Sequence, residues 1–263
     1  MDKAIIIGIY EYLGFHLCLK FLEQGIEVIG VDTEIDESDL FIEEKKLSIG
    51  RNSNFTERDL SALKLENGLV NTHIFIDYYS SYVRGEEANL VSAIENQVAG
   101  VEMTSLVMLL PIQMCGERVE RRFPFLQSIE KDRKIKSSFF YLPSIYGPWQ
   151  PLIFALQQSL YEPNKDLLIS EREWTEDAVY IEDAITAICT NLEKKGRNRY
   201  VVRSMLKDNW RKLMGPDKID KSKISSKFPA ENDFLILQAG ETEPKEGTRK
   251  QKEHLFNLLG RRR

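Results

Sequence analysis

The chain opens on a short apolar run, Ala4-Ile5-Ile6-Ile7-Gly8, of the β-branched kind that lies buried on both faces of a sheet. From Phe15 to Gln24 the spacing changes. Leu17, Phe21 and Leu22 recur at helical intervals, and Gly25 supplies a C-terminal stop. Glu27–Asp32 is a second strand-like segment. Strand, helix and strand within about 30 residues make a βαβ unit with a right-handed crossover. The alternation then predicts a third strand at Lys46–Ile49, a short helix at Glu57–Leu65 and a fourth strand at Thr72–Ile76. A helix at Glu86–Gln97 and a fifth strand at Leu106–Leu110 follow. A helical stretch over Glu117–Lys134 is interrupted by Pro124, and Ser138–Leu142 is a sixth strand.

Beyond Pro151 the pattern loosens. Leu152–Tyr161 and Ile181–Lys194 are predicted as helices and Arg199–Val202 as a strand, while Arg211–Glu231, rich in Lys and Ser, is expected to be irregular. Glu246–Leu259 is a closing helix that Gly260 should stop. The expected fold class is α/β, a doubly wound, mostly parallel Rossmann-type sheet. Residues 1–150 would form a dinucleotide-binding core, and 151–263 a smaller substrate-side lobe interleaved with it. No internal repeat or low-complexity linker is present.

Composition narrows the function classes. A chain of 263 residues with 42% hydrophobic content can bury one large core. Its net charge of −5 argues against a general nucleic-acid binder, whose footprint would be a basic face. Cys18, Cys115 and Cys189 stand far apart, as do His16, His73 and His254, so spacing assigns no metal site and the thiols suit a reducing compartment. No signal peptide is visible and no apolar run approaches about 18 residues, so a cytoplasmic protein without a membrane span is expected. The basic end, Arg261-Arg262-Arg263, reads as a solvated tail.

Five segments carry a resemblance when taken in order. They are Gly8-x-x-Glu11-x-x-Gly14 with the strand end Gly30-Val31-Asp32; Ile145-Tyr146-Gly147-Pro148-Trp149-Gln150; Glu176–Ala184; Tyr200-Val201-Val202; and Pro244–Arg249. They resemble the glycine loop, the NVYGPxQ and RDFVYVDDV segments, the YNV strand and the closing helix start of the extended short-chain dehydrogenase/reductase family. That is the family of NAD-dependent nucleotide-sugar epimerases and dehydratases. The resemblance implies NAD held by Gly8, Gly14 and Asp32, and chemistry that begins with hydride transfer while a Tyr-x-x-x-Lys pair moves the proton. Tyr146, Trp149 and Trp174 are candidates for a substrate cleft, with core or lid packing the other reading of the two tryptophans.

Several positions depart from that pattern. Glu11 stands at the middle glycine, where a diphosphate should lie. Either the turn carries no ligand, or Glu11 turns outward and the cofactor binds. Asp32 would hold the adenosine ribose and favour NAD over NADP, or else is an exposed acid continuing Glu34, Asp36, Glu37 and Asp39. Tyr78 and Tyr79 replace two small residues, and would fill the cleft or turn to the surface. The catalytic pair is read as absent. Its best-aligned positions are Cys115 and Val119, and the Ser/Thr strand end falls at Leu110-Pro111. Cys115 is a substitute nucleophile or a buried structural thiol. Glu176 reverses the charge of the arginine that clamps a diphosphate, with Arg172 a nearby substitute.

No catalytic or metal-binding residue is therefore assigned. The leading expectation is a binding, regulatory or scaffold protein that has lost catalysis and takes NAD weakly or not at all. The alternatives are a divergent but active NAD-dependent oxidoreductase, epimerase or dehydratase, and an interaction module using residues 211–233 and the basic tail. Partners compatible with the resemblance are an unknown protein, a second copy in a homodimer, or an active homologue in a heterodimer. The two helices that build such family dimers match Glu86–Gln97 and Glu117–Lys134. Leu90, Val91, Ile94 and Val98 on the first are the kind of face that ordinarily packs on its own sheet.

Overall fold

The structure, a computed structural model, describes residues 1–32, 41–59, 72–98, 105–116, 119–127, 135–192, 194, 197–215 and 234–261. Its main sheet is built from β1 (Lys3–Ile7), β2 (Glu27–Val31), β3 (Phe55–Arg58), β4 (Thr72–Asp77), β5 (Ser105–Pro111), β6 (Lys136–Leu142), β9 (Arg197–Ser204) and β10 (Leu235–Ala239). The spatial order is β10-β9-β6-β5-β4-β1-β2-β3. All the pairings in it are parallel. This is the doubly wound α/β sheet that the alternation predicts. A separate parallel pair joins β7 (Ser144–Tyr146) to β8 (Ala178–Tyr180).

Successive residues of the central strands enter opposite cores, as the two-residue strand period requires. Ile6, Phe75, Val107 and Phe140 belong to one cluster; Ile5, Ile7, Ile74, Ile76 and Met108 belong to the other. Burial on both faces explains why these strands read as unbroken apolar runs. The helices described are α1 (Tyr12–Glu23), α2 (Ile42–Ile49), α3 (Tyr78–Arg84), α4 (Glu87–Val98), α5 (Val119–Arg122), α6 (Ala155–Tyr161), α7 (Ile181–Cys189), α8 (Asn209–Met214) and α9 (Pro244–Arg261). Leu90 and Ile94 of α4 are buried in the second cluster, so that face packs on its own sheet.

Several local expectations are corrected. Lys46–Ile49 is the end of α2 and not a strand, because Lys45 and Ile49 turn inward at helical spacing. The start of the predicted Glu57–Leu65 helix is instead the end of β3, which completes a ladder with β2; residues 60–65 lie outside the described residues. The Glu117–Lys134 helix reduces to α5, which stops before Pro124, with 117–118 and 128–134 outside the described residues. The segment expected to be irregular begins inside α8, which buries Trp210 and Met214 one turn apart. Residues 216–233 lie outside the described residues. The closing helix starts at Pro244, the position where a missing N–H costs nothing, and continues through Gly260 to Arg261. β10 is an additional strand. Among the described residues no helix is long and apolar enough to cross a membrane, and no group of three or more His, Cys, Asp or Glu could hold a metal ion.

The cost of removing a central side chain follows from this packing. Ile76 is fully buried in β4 between Ile7 and Met108. Ile76→Ala should lower the unfolding free energy by about 2–5 kcal/mol in urea titrations, whereas Leu168→Ala, at a position 77% exposed, should change it by less than about 0.5 kcal/mol.

Candidate functional site

In an open α/β sheet, ligands bind beyond the carboxyl ends of the strands where the strand order reverses. Here that point lies between β1 and β4. Ile7 pairs with Ile76, so Gly8 and Asp77 leave the sheet side by side. Gly8 turns with φ +87°, a conformation that favours glycine. A Cβ on Gly14 would stand 2.0 Å from the Gly8 carbonyl oxygen, so α1 can approach the turn only with a glycine there. Both glycines are thus required by backbone packing whether or not a ligand is present.

The space ahead of α1 is filled by the chain's own charges. Oδ2 of Asp77 accepts hydrogen bonds from the amides of Leu13 (3.0 Å) and Gly14 (2.9 Å) in the first turn of α1. The same carboxylate caps α3, accepting from the Ser80 amide at 3.0 Å and its hydroxyl at 2.8 Å. Burial raises its pKa against the pull of those bonds. Glu11, only 1% exposed, turns inward and makes a two-pronged ion pair with Arg84 at the end of α3. Burial pushes the Glu11 carboxyl up to about 7, with Arg84 acting in the opposite sense. The outward orientation that cofactor binding would need is not adopted. Arg84 also donates to Glu86 at 2.7 Å, and the buried Lys45 ammonium donates to the Tyr10 carbonyl at 2.7 Å.

Tyr78 and Tyr79 both fill the interior, which removes the option that they turn to the surface. Tyr78 packs edge-on against Phe123, and Tyr79 stacks on Phe154 while its hydroxyl accepts from the Ile145 amide at 3.2 Å. Asp32 follows the end of β2, and one of its carboxylate oxygens is buried with no hydrogen-bond partner among the described residues. The Tyr10 hydroxyl donates to Glu57 at 2.8 Å. A pyrophosphate needs free first-turn amides and no carboxylate beside them. At this turn Asp77 takes the Leu13 and Gly14 amides, and Glu11 adds a second carboxylate beside them.

Comparison with solved structures places the architecture. A Bacillus cereus UDP-glucuronic acid 4-epimerase in complex with NAD superposes with a TM-score of 0.63 at 14% identity, covering 97% of this chain and 99% of that one. A UDP-glucose 4-epimerase from Thermotoga maritima gives 0.61 at 15% identity, covering 98% and 99%. An NAD-dependent NDP-hexosamine 5,6-dehydratase of tunicamycin biosynthesis gives 0.64 at 12% identity, covering 98% of both chains. The chain has the epimerase/dehydratase fold. No protein-family model matches it, and no curated protein does either.

Within this epimerase/dehydratase fold the other candidates are dispersed. Cys115 lies in a short 3-10 helix, Ile112–Gly116, with Val119 fully buried beyond it. Burial pushes the Cys115 thiol up to about 12, against a small lowering by Arg199, which suits an inert structural cysteine. A Tyr-x-x-x-Lys spacing does occur in the chain, at Tyr161–Lys165, so the absence of that pair holds only for the aligned position. α6 ends at Tyr161, and Lys165 is 70% exposed and paired with Glu162 at 2.8 Å, so the two residues do not share a helix face. Glu176 pairs with Arg211 at 3.1 Å. Arg172 donates to Glu87 at 2.8 Å and to the Tyr82 carbonyl at 2.9 Å, and so does not replace the missing clamp.

The proposed cleft residues are not brought together. Tyr146 is buried against Tyr180 in one core, and Trp174 in the other. Trp149 packs against Phe15, Phe41 and His254. The sequence reading missed Glu173, a buried carboxylate that accepts from the Ala155 amide at 2.9 Å and the Trp210 indole at 2.8 Å. Nothing in its neighbours along the chain marks it, because both donors come from other elements. It also missed the cap at Asp77, which Ser80 and Gly85 could have signalled.

Two outcomes follow from these buried groups. Burial lifts Glu173 from 4.5 to about 7, as it lifts Glu11. Between those values the folded chain holds more protons than the unfolded one, so stability should fall as pH rises from 4.5 to about 7 and level off above. Glu173→Gln, measured by urea unfolding, should gain on the wild type between pH 5 and pH 8; an equal difference at both pH values would contradict this. Cys115 should react with an aromatic disulfide reagent at pH 8 at least about 100-fold more slowly in the native protein than in urea. Mass spectrometry of the labelled peptide checks it.

Proposed function

We propose that this chain is a non-catalytic relative of the nucleotide-sugar epimerases and dehydratases, retained as a binding, regulatory or scaffold protein. The observation that carries this is the burial of Cys115 and Val119, the residues best aligned with the catalytic pair: one has its thiol pushed far above neutrality and the other has no titratable group. Proton transfer near neutral pH needs a group poised there. Pro111 ends the strand without a hydroxyl, and Glu176, engaged by Arg211, offers a diphosphate repulsion in place of a clamp. Of the residues the family uses to hold NAD the chain keeps Gly8, Gly14 and Asp32, while Glu11 takes the middle position of the turn, so NAD binding is expected to be weak or nil.

The test is direct. Purified protein with NAD and UDP-glucose or UDP-glucuronic acid should form no epimer or dehydrated product, and calorimetry with NAD should show no heat at millimolar cofactor. Turnover near about 1 s⁻¹ would sink the proposal. The active alternative, a divergent oxidoreductase, epimerase or dehydratase, rests on NAD held by Gly8, Gly14 and Asp32.

A further inference from the structure

At the switch point two carboxylates occupy the place where this fold receives a phosphate, and each is matched to its own donors. Asp77 takes the first-turn amides of α1 and the cap of α3 with one side chain. Glu11 takes both terminal nitrogens of Arg84, a residue 73 positions away along the chain. A planar guanidinium gripping two oxygens is the geometry used for carboxylate and phosphate alike. The turn is also shaped around the occupant: the Glu11 side chain lies 2.9 Å from where a Cβ on Gly8 would stand, and that of Asp77 lies 3.2 Å away.

We infer that Glu11 is an internal substitute for a bound phosphate, held by Arg84, and that it keeps the switch point closed to dinucleotides. The pair ties the start of α1 to the end of α3. Arg84, four-fifths buried, has Glu11 and Glu86 as its carboxylate partners among the described residues. Taking away the Glu11 carboxylate therefore leaves Arg84, with Glu86 as its remaining carboxylate partner, facing the space that Glu11 filled, while Asp77 keeps the Leu13 and Gly14 amides. Its guanidinium can then grip a small phosphate anion as it grips Glu11. The inference rests on the non-catalytic reading only in expecting no dinucleotide in the wild-type protein.

The experiment uses the full chain and inorganic pyrophosphate. Wild type, Glu11→Gly, Glu11→Ala and the double variant Glu11→Gly, Arg84→Ala are compared by calorimetry and thermal melting, with circular dichroism as the check on folding. The single variants should melt below wild type, bind pyrophosphate at least about tenfold more tightly than it does, and recover part of the lost melting temperature on binding. The double variant should lose that gain. Glu11→Ala also empties the turn but costs less backbone entropy than glycine, and so carries the test if the glycine variant does not fold. The inference is overturned if neither single variant gains affinity, or if the gain persists without Arg84. Sugar-nucleotide turnover by the wild type would sink the non-catalytic reading by a separate measurement.

Discussion

The carboxylate of Asp77 stands where β4 ends, between the starts of two helices. It accepts from the first turn of α1 on one side and from the first turn of α3 on the other. Helix N-termini leave unpaired N–H groups and a partial positive charge, and here a single side chain answers both. Because β1 and β4 are neighbours, that one group sets how α1 leaves the sheet and how α3 folds back toward it. Arg84, at the far end of α3, then reaches Glu11 at the cap position of α1. Each contact depends on the one before it, and together they fill the crevice that the strand order creates.

This arrangement separates two meanings of a glycine-rich turn. In a dinucleotide site the middle glycine lets a pyrophosphate approach the backbone, while the first and last serve the turn and the helix packing. Gly8 and Gly14 hold those first and last places and meet the same packing demand, since a side chain at Gly14 would collide with the Gly8 carbonyl. They are needed for the turn with or without a ligand. The same holds for the other ordered landmarks, because Tyr146, Tyr180 and Gly247 pack on one another and Asp177 accepts from Ser204. They hold elements together, and for that reason they report the fold and say little of the chemistry.

What could be read from the chain follows the range of the interactions. The strands Lys3–Ile7 and Ser105–Pro111 are legible because burial on both faces leaves a continuous apolar run. α2 and β3 were misassigned where short apolar groups fit either period and the deciding partner is β2. At the candidate site, the oddity of Glu11 was visible, but its direction was not, because the residue that turns it inward is Arg84. Tyr78 and Tyr79 were likewise ambiguous until Phe123 and Phe154 were placed against them. Cys115 was readable as structural, since no histidine lies near it along the chain and burial agrees.

The amides of Leu13 and Gly14 at the start of α1 are bonded to Asp77 within the protein and are not left open for a phosphate. Hydrogen exchange at Leu13 and Gly14, measured by NMR with and without millimolar NAD, addresses it at the atoms concerned. Both amides should be protected as strongly as their neighbours deeper in α1 with no ligand added, and NAD should leave their rates unchanged. Fast exchange in the free protein that slows when NAD is added would show that these amides belong to a cofactor.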